Sequence, residues 1–125
     1  MQMDSKLEIS LLYDFYKELL NRSQQQVVEL YVNDDLSLSE VADILSISRQ
    51  GVRDSLNRAA KKLRDYESKL HFYQNYNAQQ KTVGKILAYA EEIRGLTRDA
   101  AIIGLCDRLI DDTEKLMERE DQHGV

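Results

Sequence analysis

Apolar residues in this 125-residue chain recur every three or four positions, and the alternating runs that would mark strands are short. That period predicts six helical segments and an all-α fold. The first spans about Glu8 to Leu20, with Ile9, Leu12, Tyr16, Leu19 and Leu20 inward and Asp4 or Ser5 as its cap. Ser23 and Gln26 have the spacing of a capping box, opening a second helix that carries Val27, Val28, Leu30 and Tyr31. The polar turn Asn33-Asp34-Asp35 closes it. Ser37 with Glu40 repeats the capping signal before a third helix, with Val41, Ala42 and Leu45 on one face. In the connection Ser46-Ile47-Ser48, Ile47 is placed to fill the gap between helices, and Ser48 caps a fourth helix.

The fourth helix reads as unusually long. Its apolar positions Val52, Leu56, Ala59, Leu63, Tyr66, Leu70 and Tyr73 alternate at spacings of four and three. This is the pattern of a coiled-coil seam, or of one long helix packed against the first and last. After Asn75-Tyr-Asn77 a fifth helix carries Val83, Ile86, Leu87, Ala90 and Ile93 and ends near Gly95. Thr97 caps a sixth, with Ile102, Ile103, Leu105, Leu109, Ile110, Leu116 and Met117, and the polar tail Glu118 to Val125 is expected to fray. The division that follows is a helix-turn-helix domain with the long fourth helix over residues 1–77. Residues 78–125 form a C-terminal helical hairpin, packed on the same core or used in dimerisation.

The third and fourth segments together, Leu38 to Leu56, read as a helix-turn-helix: small Ala42 permits close approach, and the caps and spacing agree. The exposed start of its second helix offers Arg49, Gln50 and Arg53, whose side chains donate to phosphate oxygens or base edges. An ordinary helical hairpin with a polar solvated face is the competing reading. Charge bears on the choice. The chain carries a formal −5, which is unfavourable for binding a polyanion until it is divided along the sequence. Residues 1–46 hold three Lys/Arg against nine Asp/Glu, and residues 65–125 hold eight against twelve. Residues 47–64 hold six, Arg49, Arg53, Arg58, Lys61, Lys62 and Arg64, against Asp54 alone. With Gln50 and Asn57 these are the candidate nucleic-acid-binding residues. One copy should bind weakly and lose affinity steeply with salt, so a dimer, a folded nucleic acid or a protein partner is expected to contribute.

The stretch from Tyr31 to Tyr76 resembles the YlxM family of bacterial helix-turn-helix proteins, and Leu12-Tyr-Asp-Phe-Tyr-Lys-Glu-Leu-Leu20 resembles that family's first helix. The motif is also similar to the promoter-reading helix-turn-helix of sigma factors (region 4). The likeness covers roughly residues 7–90, and the hairpin after Gly95 is less supported by it. Members are small and cytosolic and are mostly encoded beside the signal recognition particle GTPase. The resemblance therefore implies a regulatory, nucleic-acid-binding accessory of that targeting pathway. Its partners would be the particle's RNA or DNA, and its GTPase. A sequence-specific DNA-binding transcription regulator, or a protein-interaction module without nucleic-acid binding, are the alternatives. Two positions depart from the pattern. Ser46 stands where such turns favour glycine, at a cost of about 1 kcal/mol if left-handed. Gly51 lies inside the recognition helix, also at roughly 1 kcal/mol relative to alanine, where it would let the backbone approach a phosphate or be simple drift.

Little else in the chain points to chemistry. Proline is absent and there are five glycines, with no phosphate-cradling loop. The lone Cys106 excludes an intrachain disulfide and fits a reducing compartment. His71 and His123 lack metal-ligand spacing, and the adjacent carboxylates Asp34/Asp35, Glu91/Glu92 and Asp111/Asp112 diverge on a helix. No catalytic residue, metal or cofactor is expected, and the protein is read as non-enzymatic. Tyr66, Phe72, Tyr73 and Tyr76, beside Lys69 and His71, suit base stacking in principle, but Tyr66 and Tyr73 fall on the seam and read as core. The N-terminus has no apolar signal stretch, and the longest apolar run, Ala100 to Leu105, is far short of the roughly 20 residues that span a membrane. A cytoplasmic protein without membrane insertion is expected, and the apolar seam and sixth helix point to a homodimer.

Overall fold

The computed structural model describes residues 2–121, which form helices joined by short connections, with no strand among them. Six α-helices follow one another: α1 Gln2–Tyr16, α2 Arg22–Val28, α3 Leu38–Leu45, α4 Arg49–Leu70, α5 Phe72–Leu96 and α6 Ala100–Asp121. A 3-10 turn, Lys17–Leu19, joins α1 to α2, and a turn of π-helix, Glu29–Asn33, extends α2. The described chain divides into two compact units, one ending at Tyr73 and one beginning at Gln74.

The first unit is built around α4. Val52, Leu56, Ala59 and Leu63 are buried, and they meet Leu12, Tyr13, Tyr16 and Leu20 from α1 and the following turn, with Val27, Val28, Val41 and Ala42 from α2 and α3. The four-three spacing on α4 is therefore consumed within the unit's own core. Leu70, at the far end of the expected seam, is exposed.

α1 begins earlier than the sequence predicts, and Asp4 and Ser5 lie within it instead of capping it. The 3-10 turn, wound at about three residues per turn, carries Leu20 inward and leaves Leu19 48% exposed, so Leu19 is not a core residue. The capping box of α2 is Asn21 with Gln24, not Ser23 with Gln26. Asn21 has extended backbone and its side chain accepts from the Gln24 N–H, while Gln24 Oε1 accepts from the Asn21 N–H at 3.2 Å. Tyr13 is also part of the core. It is 2% exposed, and its hydroxyl donates to the Glu29 carboxylate. Burial, then that hydrogen bond, push its ionisation well above the usual tyrosine range.

α4 and α5 are two helices, broken at His71, which adopts the left-handed conformation with φ 57°. Tyr73 thus belongs to α5, and the expected separator Asn75-Tyr-Asn77 lies inside that helix. The buried Tyr16 hydroxyl makes this corner. It donates to Glu67 Oε1 at 2.5 Å and accepts from the Phe72 N–H at 3.1 Å. Glu67 Oε1 in turn accepts from the Tyr73 N–H at 3.1 Å. Two of the amide donors orphaned at the start of α5 are satisfied by side chains from elsewhere in the unit. The Phe72 ring stacks on Tyr16 with centroids 5.7 Å apart, and Tyr73 meets Phe15 edge-on at 5.8 Å. These aromatics serve packing.

In the second unit Val83, Ala90, Cys106 and Thr113 are buried. Arg94 Nε donates to Asp107 Oδ1 at 2.6 Å across the two helices. The cap of α6 is Asp99 and not Thr97: Asp99 Oδ1 accepts from the Ala101 and Ile102 N–H groups, while Thr97 Oγ1 accepts from the Asp99 N–H. The side chains of the expected fraying tail, Glu118 to Val125, lie outside the described residues, as does His123. No helix among the described residues is long and apolar enough to cross a membrane.

Candidate nucleic-acid interface

Ser37 starts the motif. Its hydroxyl accepts from the Glu40 N–H at 3.0 Å, and Glu40 Oε1 accepts from the Ser37 N–H at 2.8 Å. α3 then runs only eight residues, with Val41 and Ala42 buried. Ser46 ends it in the left-handed conformation, φ 57° and ψ 43°, without the glycine that usually takes this position. Ser48 returns to extended backbone, and its hydroxyl accepts from the Gly51 N–H at 2.9 Å to open α4. Ile47 lies against Gly51 of α4 but is 43% exposed, so it covers the junction of the two helices only in part, while Leu45 packs on the core.

Gly51 sits directly beneath this cap. A β-carbon at that position would meet Ser48 Oγ at 3.2 Å and Ile47 at 3.8 Å. The residue is therefore tied to the tight entry into α4, a local packing role that neither drift nor a phosphate approach requires.

All eight candidate residues are exposed. Arg49, Arg53, Asn57 and Lys61 follow one another at four-residue intervals, one per turn and about 6 Å apart along the helix. Gln50 lies beside the first of them and donates to Asp54 Oδ1 at 2.9 Å. Arg58 and Lys62 lie further round the helix. Among the described residues Arg49, Arg53 and Arg58 hold no ion pair. Lys61 pairs with Asp65 at 3.1 Å, both exposed, which is an association that water and salt readily exchange. Lys62 Nζ reaches only the neutral Gln24 Oε1 at 3.4 Å. Arg64 is different. Its Nε donates to Glu8 Oε1 of α1 at 2.9 Å, so it braces two helices and is the least available of the set.

The head of α4 adds a further attraction. The N–H groups of a helix's first turn favour an anion, and here, with the Gly51 N–H taken by Ser48 Oγ and the Val52 N–H by the Ser48 carbonyl, those of Arg49 and Gln50 remain for one. The spread of donors suits a phosphate backbone, with Arg49, Gln50 and Arg53 at the end of the helix that such motifs direct at bases. Ile44, which the sequence reading assigns to no face, and Ile47, which it places between the helices, are 57% and 43% exposed. They offer the apolar contact a thymine methyl or an unstacked base takes. In the segment before α3, Asp35 is bonded by Lys6 of α1, which lies 4.6 Å from the Tyr31 ring centroid. That contact holds the Asp35 carboxyl below its usual range and keeps the lysine engaged.

A family model described as "Putative helix-turn-helix protein, YlxM / p13 like" (UPF0122) matches residues 3–100. The chain is 36% identical over 115 residues to the UPF0122 protein of Lacticaseibacillus casei (strain BL23), covering 92% of this chain and all of that relative. A UPF0122 protein of Thermoanaerobacter sp. (strain X514) is 37% identical over 113 residues, 90% of this chain and 97% of its own length. One from Clostridium botulinum (strain Alaska E43 / Type E3) is 40% identical over 92 residues, 74% of this chain and 82% of the relative.

Proposed function

The chain belongs to the UPF0122 family of YlxM / p13-like helix-turn-helix proteins, and from that membership we propose that it is a cytoplasmic, non-enzymatic regulator that binds nucleic acid through α4. The observation behind this reading is the stripe Arg49, Arg53, Asn57 and Lys61 on an exposed, capped helix, with Arg58 and Lys62 alongside and Gln50 at its head. Arg64, engaged by Glu8, supports the helix more than the ligand.

The patch is small and the rest of the chain is acidic. Five available cations, Arg49, Arg53, Arg58, Lys61 and Lys62, neutralise about five phosphates, which gives a log–log salt slope near −4 to −5. Binding of that kind is weak at physiological salt unless nucleic-acid shape or a partner contributes. A folded RNA held in a ribonucleoprotein supplies both, so the reading follows the family resemblance to the signal recognition particle, its RNA and its GTPase. The second reading, a transcription regulator, draws on Arg49, Gln50 and Arg53 at the head of a sigma-like recognition helix, where bidentate contacts to bases are made.

Competition between the particle's RNA and random duplex DNA at about 150 mM salt separates the two. Preference for the RNA supports the accessory role. Equal competition, with tight binding to one discrete DNA site, makes the protein a transcription regulator.

A further inference from the structure

The second unit carries two apolar stripes on each helix, and only one of each is covered. On α5, Val83 and Ala90 are buried, while Ile86, Tyr89, Ile93 and Leu96 are 40%, 59%, 48% and 82% exposed. On α6, Cys106 and Thr113 are buried, while Ile102, Leu105, Leu109 and Leu116 are 40%, 61%, 44% and 43% exposed. On both helices the exposed stripe lies about a quarter-turn from the buried one, in the same rotational sense along the chain. The Arg94–Asp107 pair, and the approach of Leu116 to Thr82 and Val83, show that the two helices run antiparallel. Both exposed stripes therefore open on one side of the hairpin. Eight large side chains, each 40% exposed or more, make a continuous apolar face on the order of several hundred Å². A patch of that size ranks with the largest that monomers expose, which are often binding surfaces, and it approaches the roughly 800 Å² per partner of a standard interface.

We propose that this face is covered by a second copy of the same hairpin, in an antiparallel four-helix bundle with its two-fold axis across the helices. The face is self-complementary about such an axis. At the open end of the hairpin a groove of about 410 Å³ is lined by Ala78, Gln79, Thr82, Val83 and Leu116. At the other end stands Leu96, the most exposed large apolar residue among the described side chains. An axis crossing α5 between Ala88 and Tyr89 sets Leu96 of one copy at the level of residue 81 of the other, over that groove, and does the same in reverse. The same axis sets Lys85 level with Glu92 of the second copy, on the outer edge of α5, where among the described residues neither holds an ion pair. One knob, one hole and one charge pair per copy, each used twice, is the signature of an isologous contact. The proposal stands on the second unit alone and does not depend on nucleic-acid binding.

Sedimentation equilibrium at micromolar concentration tests it. The unmodified protein is expected at twice its 14.5 kDa monomer mass. Leu96→Asp, at a position where folding tolerates a charge, is expected to raise the dissociation constant at least about tenfold with unchanged helical content by circular dichroism. Tyr89→Asp provides a second probe of the same face. Lys85→Glu and Glu92→Lys should each weaken the dimer, and the two together should restore it. A monomer at every concentration, a dimer unaffected by Leu96→Asp and Tyr89→Asp, or no rescue by the charge exchange would overturn the proposal.

Discussion

Arg49 and Arg53 are exposed, lie one turn apart, and hold no ion pair among the described residues, so their charge is free to meet a phosphate. Arg49→Glu with Arg53→Glu removes two ligands and adds two repulsive charges without touching the core. Binding should be lost while unfolding free energy stays within about 0.5 kcal/mol, measured by urea titration beside a binding assay. Tyr16 is the reverse case, buried and bonded within the fold. Tyr16→Phe leaves the Phe72 N–H without its acceptor and takes one donor from Glu67, and is expected to cost about 1–3 kcal/mol by the same titration. Burial first, then the Glu67 hydrogen bond, push the Tyr16 ionisation from 10.0 up to about 12. A value raised in the folded state favours the protonated phenol, so this stabilisation is whole below pH 10 and is lost as pH climbs toward 12. Unfolding followed across that window should show the loss, and Tyr16→Phe should reduce it, leaving the part that Tyr13, also raised, contributes.

At the scale of elements, what was legible depended on how locally each signal is decided. The box Ser37–Glu40 and the cap Ser48–Gly51 join side chains to backbone three residues away, so α3 and the start of α4 stand where the pattern puts them. The end of α4 was illegible for a physical reason. No glycine or proline marks it, and the left-handed turn at His71 is held by Tyr16, more than fifty residues earlier in the chain. The same distance hid the tie between Arg64 and Glu8, so sequence counts six equal cations where the fold offers five. The start of α2 was missed by two residues because Asn21 and Ser23 are both competent caps, and the 3-10 turn before them selects the first. At Ser46 the left-handed backbone is paid for by a residue with a β-carbon. Ser46→Gly is expected to raise stability by up to about 1 kcal/mol, seen as a higher midpoint in thermal melts, with nucleic-acid binding unchanged.

For the whole molecule, charge distribution matters more than net charge. A formal −5 conceals a basic segment from Ile47 to Arg64 flanked by acidic ones, and the fold turns that segment's cations outward by placing Val52, Leu56, Ala59 and Leu63 in the core. The acidic remainder repels polyanions, so the cations of α4 must carry the attraction, and salt should weaken it steeply. The most direct measurement is the salt dependence of binding to the particle's RNA, made in parallel on the unmodified protein and on Arg49→Glu/Arg53→Glu. The unmodified protein should bind at low salt with a log–log slope near −4 to −5, and the double variant, equally folded, should show no measurable binding. A double variant that binds with the same affinity and the same slope would place the contact elsewhere and contradict the role assigned to α4.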